Sequence, residues 1–315
     1  EYLLSETDWD IWGLTRWSDP VDNLQGLASR INAGDRIHLV EGDLTDVSSL
    51  YKVVIQVEPH YVFHLAAQSY VQASFDMPAM TLQTNLIGTS NLLEAIRRHA
   101  PGALVHNCSS SEVYGQVSSK LIPIKEDCPF HATSPYSASK IGADVLGQYY
   151  AEAHGLWVLT TRMFTHTGPR RGDVFAESSF AKQIAMIEVG QLNPPIKVGN
   201  LDSLRTVADV RDAVRAYYML LTQDPIAGEV YNIGGTHVCT VGQILDILFD
   251  ISGCSYPFEI DKARLRPLDA TSQVPDCTKF MTHTTWQPEI SFRQTMVDLL
   301  EYWRERVKLG LVLQR

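Results

Sequence analysis

Residues 61–67, Tyr-Val-Phe-His-Leu-Ala-Ala, form a nearly continuous apolar run. That is the pattern of a strand covered on both faces rather than one. Residues 103–108 and 156–163 repeat it, and helical patterns stand between the runs. One covers 78–99, with apolar positions at Leu82, Leu86, Leu92, Leu93 and Ile96, and another covers 134–154, with Ser134 as cap and Pro135 at the first position. Upstream, 10–16 reads as a strand running into a loop and 36–40 as a short strand. Val47–Val57 reads as a helix capped by Thr45 or Asp46 and stopped by Pro59. Strands and helices alternating in this way restrict the fold to an α/β class with a doubly wound parallel sheet.

Beyond Gly168 the alternation loosens. Helical patterns cover 175–189, 209–221, 241–251 and 293–307, with strands at 196–198 and 229–233. The expected organisation is a Rossmann-like nucleotide-binding domain over 1–167. A smaller, mainly substrate-binding lobe follows over 168–315, with some elements returning to the sheet.

A formal net charge of −10 argues against nucleic acid as a partner but allows an anionic small ligand held in a local basic pocket. The five cysteines (Cys108, Cys128, Cys239, Cys254, Cys277) are scattered and never spaced as C-x-x-C. No disulfide framework or metal site is expected from them. No apolar run reaches the roughly 18 residues that a membrane span needs, so the expected setting is cytoplasmic.

The chemistry-bearing stretch is 108–140. It opens with Ser109-Ser110-Ser111-Glu112-Val113-Tyr114-Gly115 and closes with Tyr136-Ser137-Ala138-Ser139-Lys140. Tyr136 and Lys140 are spaced i, i+4, which places them one turn apart on the same helix face. An ammonium held near a phenol favours the phenolate and can bring its pKa from about 10 towards neutrality. The result is a general base for an alcohol whose carbon gives up hydride. Alone, such a pair is usually a chance spacing with the Lys on a solvated helix face. With the strand-end Ser110 and the carboxylate of Glu112, it fits a redox site.

These residues resemble the extended short-chain dehydrogenase/reductase superfamily. The resemblance rests on Leu65-Ala66-Ala67-Gln68-Ser69, the Ser-Ser-Ser-Glu-Val-Tyr-Gly and Tyr-Ser-Ala-Ser-Lys motifs, and Thr165-His166-Thr-Gly-Pro-Arg170-Arg171-Gly172. In the second half it adds Gly199-Asn200-Leu201-Asp202-Ser203-Leu204-Arg205, Tyr231-Asn232-Ile233-Gly234-Gly235 and Arg266-Pro267. Within the superfamily the chain is most similar to the GDP-sugar members, the GDP-mannose 4,6-dehydratases and the GDP-4-keto-6-deoxymannose reductases.

The resemblance implies the following roles. Tyr136 is the base at the sugar C4 hydroxyl, Lys140 its electrostatic partner, Ser110 a hydrogen-bond donor to the C4 oxygen, and Glu112 the group that takes the C5 proton during loss of water. Cofactor contacts fall on Thr15, Arg16, Asp43, Leu44, Leu65, Ala66, Ala67, Gln68, Ser69, Tyr136, Lys140, His166 and Arg171. Substrate contacts fall on Ser110, Glu112, Tyr136, Thr165, Arg170, Lys182, Arg205 and Arg266. Thr15-Arg16 stands where an acid would accept the ribose 2′-hydroxyl of NAD, so NADP is expected over NAD. The implied substrate is a GDP-hexose, and subunit pairing through the helices starting near Pro78 and Ser134 implies a homodimer or homotetramer.

Some features depart from the pattern. The G-x-x-G-x-x-G turn that holds the cofactor pyrophosphate is not in the sequence, whose first glycine is Gly13. The chain is expected to begin partway through the helix that follows such a turn, with the turn itself upstream. The family's Asn in F-N-H is Thr165, its Arg-Asp pair is Arg205-Thr206, and a frequent cofactor-side Tyr is Met80. The expected function is a nucleotide-sugar 4,6-dehydratase acting on GDP-mannose through bound NADP. The alternatives are the reductase, another nucleotide-sugar dehydratase or epimerase, and a non-catalytic nucleotide-binding protein.

Overall fold

The computed structural model describes residues 1–313. Its first half runs α1 (Tyr2–Glu6), β1 (Ile11–Thr15), α2 (Ala28–Ala33), β2 (Ile37–Glu41), α3 (Val47–Val57), β3 (Tyr61–His64), α4 (Val71–Asp76) and α5 (Pro78–Leu82). A π-helical turn (Gln83–Ile87) leads into α6 (Gly88–His99), and β4 (Leu104–Cys108), α7 (Pro135–His154), β5 (Trp157–Met163) and β6 (His166–Thr167) follow. The second half runs α8 (Ala176–Glu188), β7 (Ile196–Val198), β8 (Leu204–Asp209), α9 (Val210–Thr222), β9 (Val230–Ile233), β10 (His237–Thr240), α10 (Val241–Ser252), β11 (Phe258–Ile260), β12 (Ser272–Gln273), α11 (Thr278–Thr284) and α12 (Phe292–Lys308).

Local chemistry sets several of these boundaries. Asp46 caps α3 by accepting the Ser48 amide. Ser134 and Ser137 cap α7 reciprocally, with Pro135 in its first turn and Gly155 closing it in the left-handed conformation.

The strands β3-β4-β5-β9 form a parallel sheet in that order, and β1 pairs in parallel with β2. Helices cover both faces of the four-stranded sheet. Leu50 and Val54 of α3 and Leu93 and Ile96 of α6 pack against Val105 and Val158 on one side. Tyr217, Leu220, Phe280 and Trp286 pack with Leu159 and Met163 on the other. This is the doubly wound arrangement that the alternation predicts. Burying each such side chain is worth about 1.5–3 kcal/mol. The strand β9, from the second half of the chain, lies beside β5 in this sheet.

A further core joins Phe180 and Ile184 of α8, Leu245 and Leu248 of α10, and Leu299, Leu300 and Trp303 of α12 over β7 and β8. Around it, β8 pairs with β10, β12 and β6, and β7 pairs with β11.

Two expectations change. The run 61–67 is strand only to His64, and Tyr61, Val62 and Phe63 are half-buried rather than enclosed. Among the described residues β3 pairs only with β4 and β1 only with β2, so each keeps an unpaired edge. Trp9 stacks on Tyr61 with ring centroids 4.3 Å apart, linking the two strand groups. The helix expected over 78–99 carries the π-helical turn, in which Asn85 donates to the Gln68 carbonyl and the Ser139 hydroxyl and accepts the Gln68 amide. That bulge pins the stretch after β3 to α7, a use typical of π-turns near functional sites.

Candidate active site

The carboxyl ends of β3, β4 and β5 open onto a cavity of about 860 Å³. In doubly wound folds this end of the sheet receives ligands. Strand β4 ends at Cys108 and delivers Ser109 and Ser110. A single 3₁₀ turn, Ser111–Val113, then presents Glu112, with its amide donating to the Ser110 hydroxyl at 3.2 Å. Gly115 closes the motif at φ +52°, where an added Cβ would lie 1.9 Å from the His131 carbonyl oxygen, so a side chain is excluded. Beneath the motif, the buried Tyr114 hydroxyl donates to Asn232. Arg162 donates to Tyr114, to the Glu126 carbonyl and, through Nε and Nη2, to both oxygens of Asp144. This satisfied network holds the motif in place from behind.

Tyr136 and Lys140, from the first turns of α7, are both buried and line the cavity with Ser110 and Glu112. The expected lowering of the phenol pKa by Lys140 is not what the structure has. Burial pushes Tyr136 up, as do Cys108 and the Glu112 carboxylate, while the Ser110 hydroxyl and the Arg171 charge draw it down. Lys140 instead donates to the Cys108 carbonyl at 2.5 Å, and burial lowers its own pKa. The spacing put both groups on one helix face, but the Lys140 ammonium is taken up by the backbone at the end of β4. His166, also on the cavity wall, is held neutral by burial at a pKa of about 4.

Leu65, Ala67, Ser69, Thr165, Arg171, Lys182, Arg205 and Arg266 also line the cavity. Arg266 lies 3.3 Å from Glu112 and 3.5 Å from Asp269, and Arg205 lies 3.6 Å from Asp269. Burial pulls the Arg205 pKa down, with Asp269 and Glu112 opposing it. Lys182 donates to Asp173 at 2.7 Å and to the Leu313 carbonyl at 2.6 Å.

Other expected contacts stand apart from this wall. Gln68 is bonded to Asn85 and to the Tyr70 carbonyl, and Ala66 is exposed beside it. Thr15 and Arg16 stand at the carboxyl end of β1, where Arg16 forms a 2.6 Å ion pair with Asp19. Asp43 accepts from the Thr45 amide and hydroxyl, which lower its pKa. Leu44 is packed in the core with its carbonyl bonded to Asn91. Arg170, at φ +72°, lies outside the cavity wall and pairs with Glu1.

The sequence reading missed Asp269, Glu177 and Tyr217, all on the cavity wall. Only Asp269 left a trace, as an acid three residues after Arg266. Among the described residues no group of three or more His, Cys, Asp or Glu could hold a metal, and no helix is long and apolar enough to cross a membrane. The five cysteines are free.

The sequence model of the GDP-mannose 4,6 dehydratase family matches residues 1–299. The chain belongs to that family. It is 35% identical to GDP-6-deoxy-D-mannose reductase of Pseudomonas aeruginosa over 250 residues, 79% of this chain and 82% of that one. It is 32% identical to GDP-mannose 4,6 dehydratase 1 of Arabidopsis thaliana over 278 residues, 86% of this chain and 75% of that one. The solved structure of RMD from Pseudomonas aeruginosa, complexed with NADPH, superposes with a TM-score of 0.81 at 31% identity, covering 94% of this chain and 99% of that one. Family membership accounts for the doubly wound sheet and for the strand-end serines facing a Tyr-Lys helix, as in the extended short-chain dehydrogenase/reductases.

Proposed function

We propose that this chain is a nucleotide-sugar 4,6-dehydratase that converts GDP-mannose to GDP-4-keto-6-deoxymannose with NADP as resident cofactor. The observation that carries the reading is Glu112, a carboxylate on the same cavity wall as Ser110, Tyr136 and Lys140. Simple alcohol–ketone exchange at C4 has no use for it.

The residues present suit the cofactor. The Arg16 guanidinium at the end of β1 matches a 2′-phosphate, which would compete with Asp19 for it. Asp43 sits at the end of β2 as an acceptor for the adenosine end. Leu65, Ala67 and Ser69 line the cavity beyond β3, and Lys140 and His166, on the same wall, would hold the nicotinamide end. When bound, NADP supplies two-electron exchange at the sugar carbon.

The chain supplies the rest. Tyr136 accepts the C4 hydroxyl proton, and Ser110 donates a hydrogen bond to the C4 oxygen. The Lys140 ammonium, moving off the Cys108 carbonyl, stabilises the phenolate. Once C4 is a ketone the C5 proton is acidic, and Glu112 removes it and returns a proton to the C6 hydroxyl, which departs as water; return of the C4 hydride to C6 and of a proton to C5 would then give the 4-keto-6-deoxy sugar with no net redox change. Arg205 and Arg266 neutralise the substrate diphosphate, with Lys182 at the edge of the same lobe.

A second reading is supported by the 35% identity to the Pseudomonas aeruginosa reductase. On that reading the chain reduces the C4 ketone of a GDP-4-keto-6-deoxyhexose with NADPH. Incubating the protein with GDP-mannose and catalytic NADP separates the two. A 4-keto-6-deoxy product without net cofactor turnover supports the dehydratase. Stoichiometric NADPH oxidation with the keto sugar, and no product from GDP-mannose, overturns it in favour of the reductase.

A further inference from the structure

Trp17 is 86% exposed, more than any other large apolar side chain among the described residues. An indole left in water forgoes the burial that so large an apolar surface normally gains. Other tryptophans of this chain find cover. Trp286 and Trp303 are buried, while Trp9 stacks on Tyr61 and Trp12 on His38.

The exposure does not come from a loose loop. The Asp19 amide donates to the Arg16 carbonyl at 3.0 Å and closes the turn that carries Trp17. The Asp19 carboxylate in turn accepts the Arg16 amide at 3.1 Å and its guanidinium Nε and Nη2 at 2.9 and 2.6 Å. The residues on both sides of the indole are thus tied to each other, and the indole between them is left to solvent.

Its position points to a ligand. Strand β1 ends at Thr15, paired with Glu41 at the end of β2, and the Gly42 amide donates to the Thr15 carbonyl at 3.1 Å. The turn therefore leaves the carboxyl edge of the sheet alongside the Gly42-Asp43 step, the edge where doubly wound folds take a dinucleotide. In an adenosine 2′-phosphate the phosphate is on C2′ and the base on C1′, two bonded carbons of one ring. A 2′-phosphate taken by Arg16 carries its adenine to the neighbourhood of the residue that follows Arg16. A purine presents a flat π-face, and an aromatic side chain is the group that complements it. The indole's neighbours in the turn, Arg16, Ser18 and Asp19, are polar. They frame a single stacked ring better than an apolar protein interface.

We propose that Trp17 is the stacking partner of the adenine ring of NADP, beside Arg16 at the 2′-phosphate. This rests on the assignment of Arg16 made above. The two residues divide the recognition between them. Arg16 separates NADP from NAD, whereas Trp17 strengthens both alike, because both carry adenine.

The test uses 2′,5′-ADP, which keeps the adenine and the 2′-phosphate and lacks the nicotinamide, together with NADP and NAD. Each is titrated calorimetrically into the native protein, Trp17→Ala and Trp17→Phe. Trp17→Ala is expected to bind all three about tenfold or more weakly, with Trp17→Phe close to native. In fluorescence, 2′,5′-ADP is expected to quench a solvent-exposed tryptophan emission in the native protein but not in Trp17→Phe. The indole is exposed, so neither change removes a packing contact from the core. Unchanged affinities in Trp17→Ala, a loss confined to NADP and 2′,5′-ADP, or native emission unaltered by 2′,5′-ADP overturns the stacking while leaving Arg16 at the 2′-phosphate. Unchanged affinities with an altered oligomeric size in Trp17→Ala overturn it in favour of a contact between copies. A native protein that binds none of the three overturns the cofactor site at the end of β1, and this contact with it.

Discussion

Glu112 and Arg266, 154 positions apart, meet with Oε1 and Nη1 at 3.3 Å, and Asp269 holds the same guanidinium at 3.5 Å. The proposed base for C5 and a proposed diphosphate cation thus share one charge network, joined through Asp269 to Arg205. A dianionic ligand at Arg205 and Arg266 would compete with Glu112 for the Arg266 guanidinium.

Replacing Glu112 with Gln keeps the side-chain size and removes the base. Turnover of GDP-mannose is expected to fall by about 10²–10⁴-fold, the usual contribution of a positioned acid–base group, with NADP affinity unchanged. Product formation and cofactor titration measure the two separately. Wild-type turnover in Glu112→Gln would remove this residue from the chemistry.

Arg162 and Asp144 are both buried, and Arg162→Met leaves the Asp144 carboxylate without its cation. A loss of about 3–5 kcal/mol in unfolding free energy is expected, read as a lower urea midpoint. A midpoint within error of wild type would show that the network under the Ser-Glu-Val-Tyr-Gly motif does not stabilise the fold.

Acid sensitivity follows from the buried histidines. Burial holds His64 and His106 at a pKa of about 3, below the ordinary 6.5. The folded state keeps them neutral while the unfolded chain protonates them. Their contribution to stability is therefore complete above pH 6.5 and is lost as pH falls from there towards the folded values. Unfolding free energy measured by denaturant titration should decline steadily from pH 7 to pH 5. A flat profile over that interval would contradict the neutral, buried state of these rings.

Arg16→Ala removes the cation proposed for the 2′-phosphate. NADP affinity is expected to drop about tenfold or more, as for loss of a charged hydrogen bond, and NAD affinity to change little. Equal losses for both cofactors would place the 2′-phosphate elsewhere.

Much of this protein is legible in its sequence where the signal is local. The cap on α3 and the Ser-Pro start of α7 need only neighbouring residues, and the structure has them as read. The motif set likewise brought Ser110, Glu112, Tyr136 and Lys140 together, because strand ends and a helix start converge at one edge of a doubly wound sheet. The short strands β8, β10 and β12 were not legible. Each is stabilised by its pairing, and a run such as Ser272-Gln273 has no pattern of its own.

What the sequence determined by itself was the α/β alternation and the choice of the four residues that meet on one cavity wall, since period, capping and motif spacing are properties of contiguous chain. Tertiary structure alone decided their charge states and partners. The i, i+4 spacing puts Lys140 beside Tyr136, but only the fold offers it the Cys108 carbonyl and buries the phenol so that its pKa rises. Desolvation and long-range pairing depend on residues far apart in the chain, as with Arg266 at Glu112. Spacing along the sequence carries no record of them.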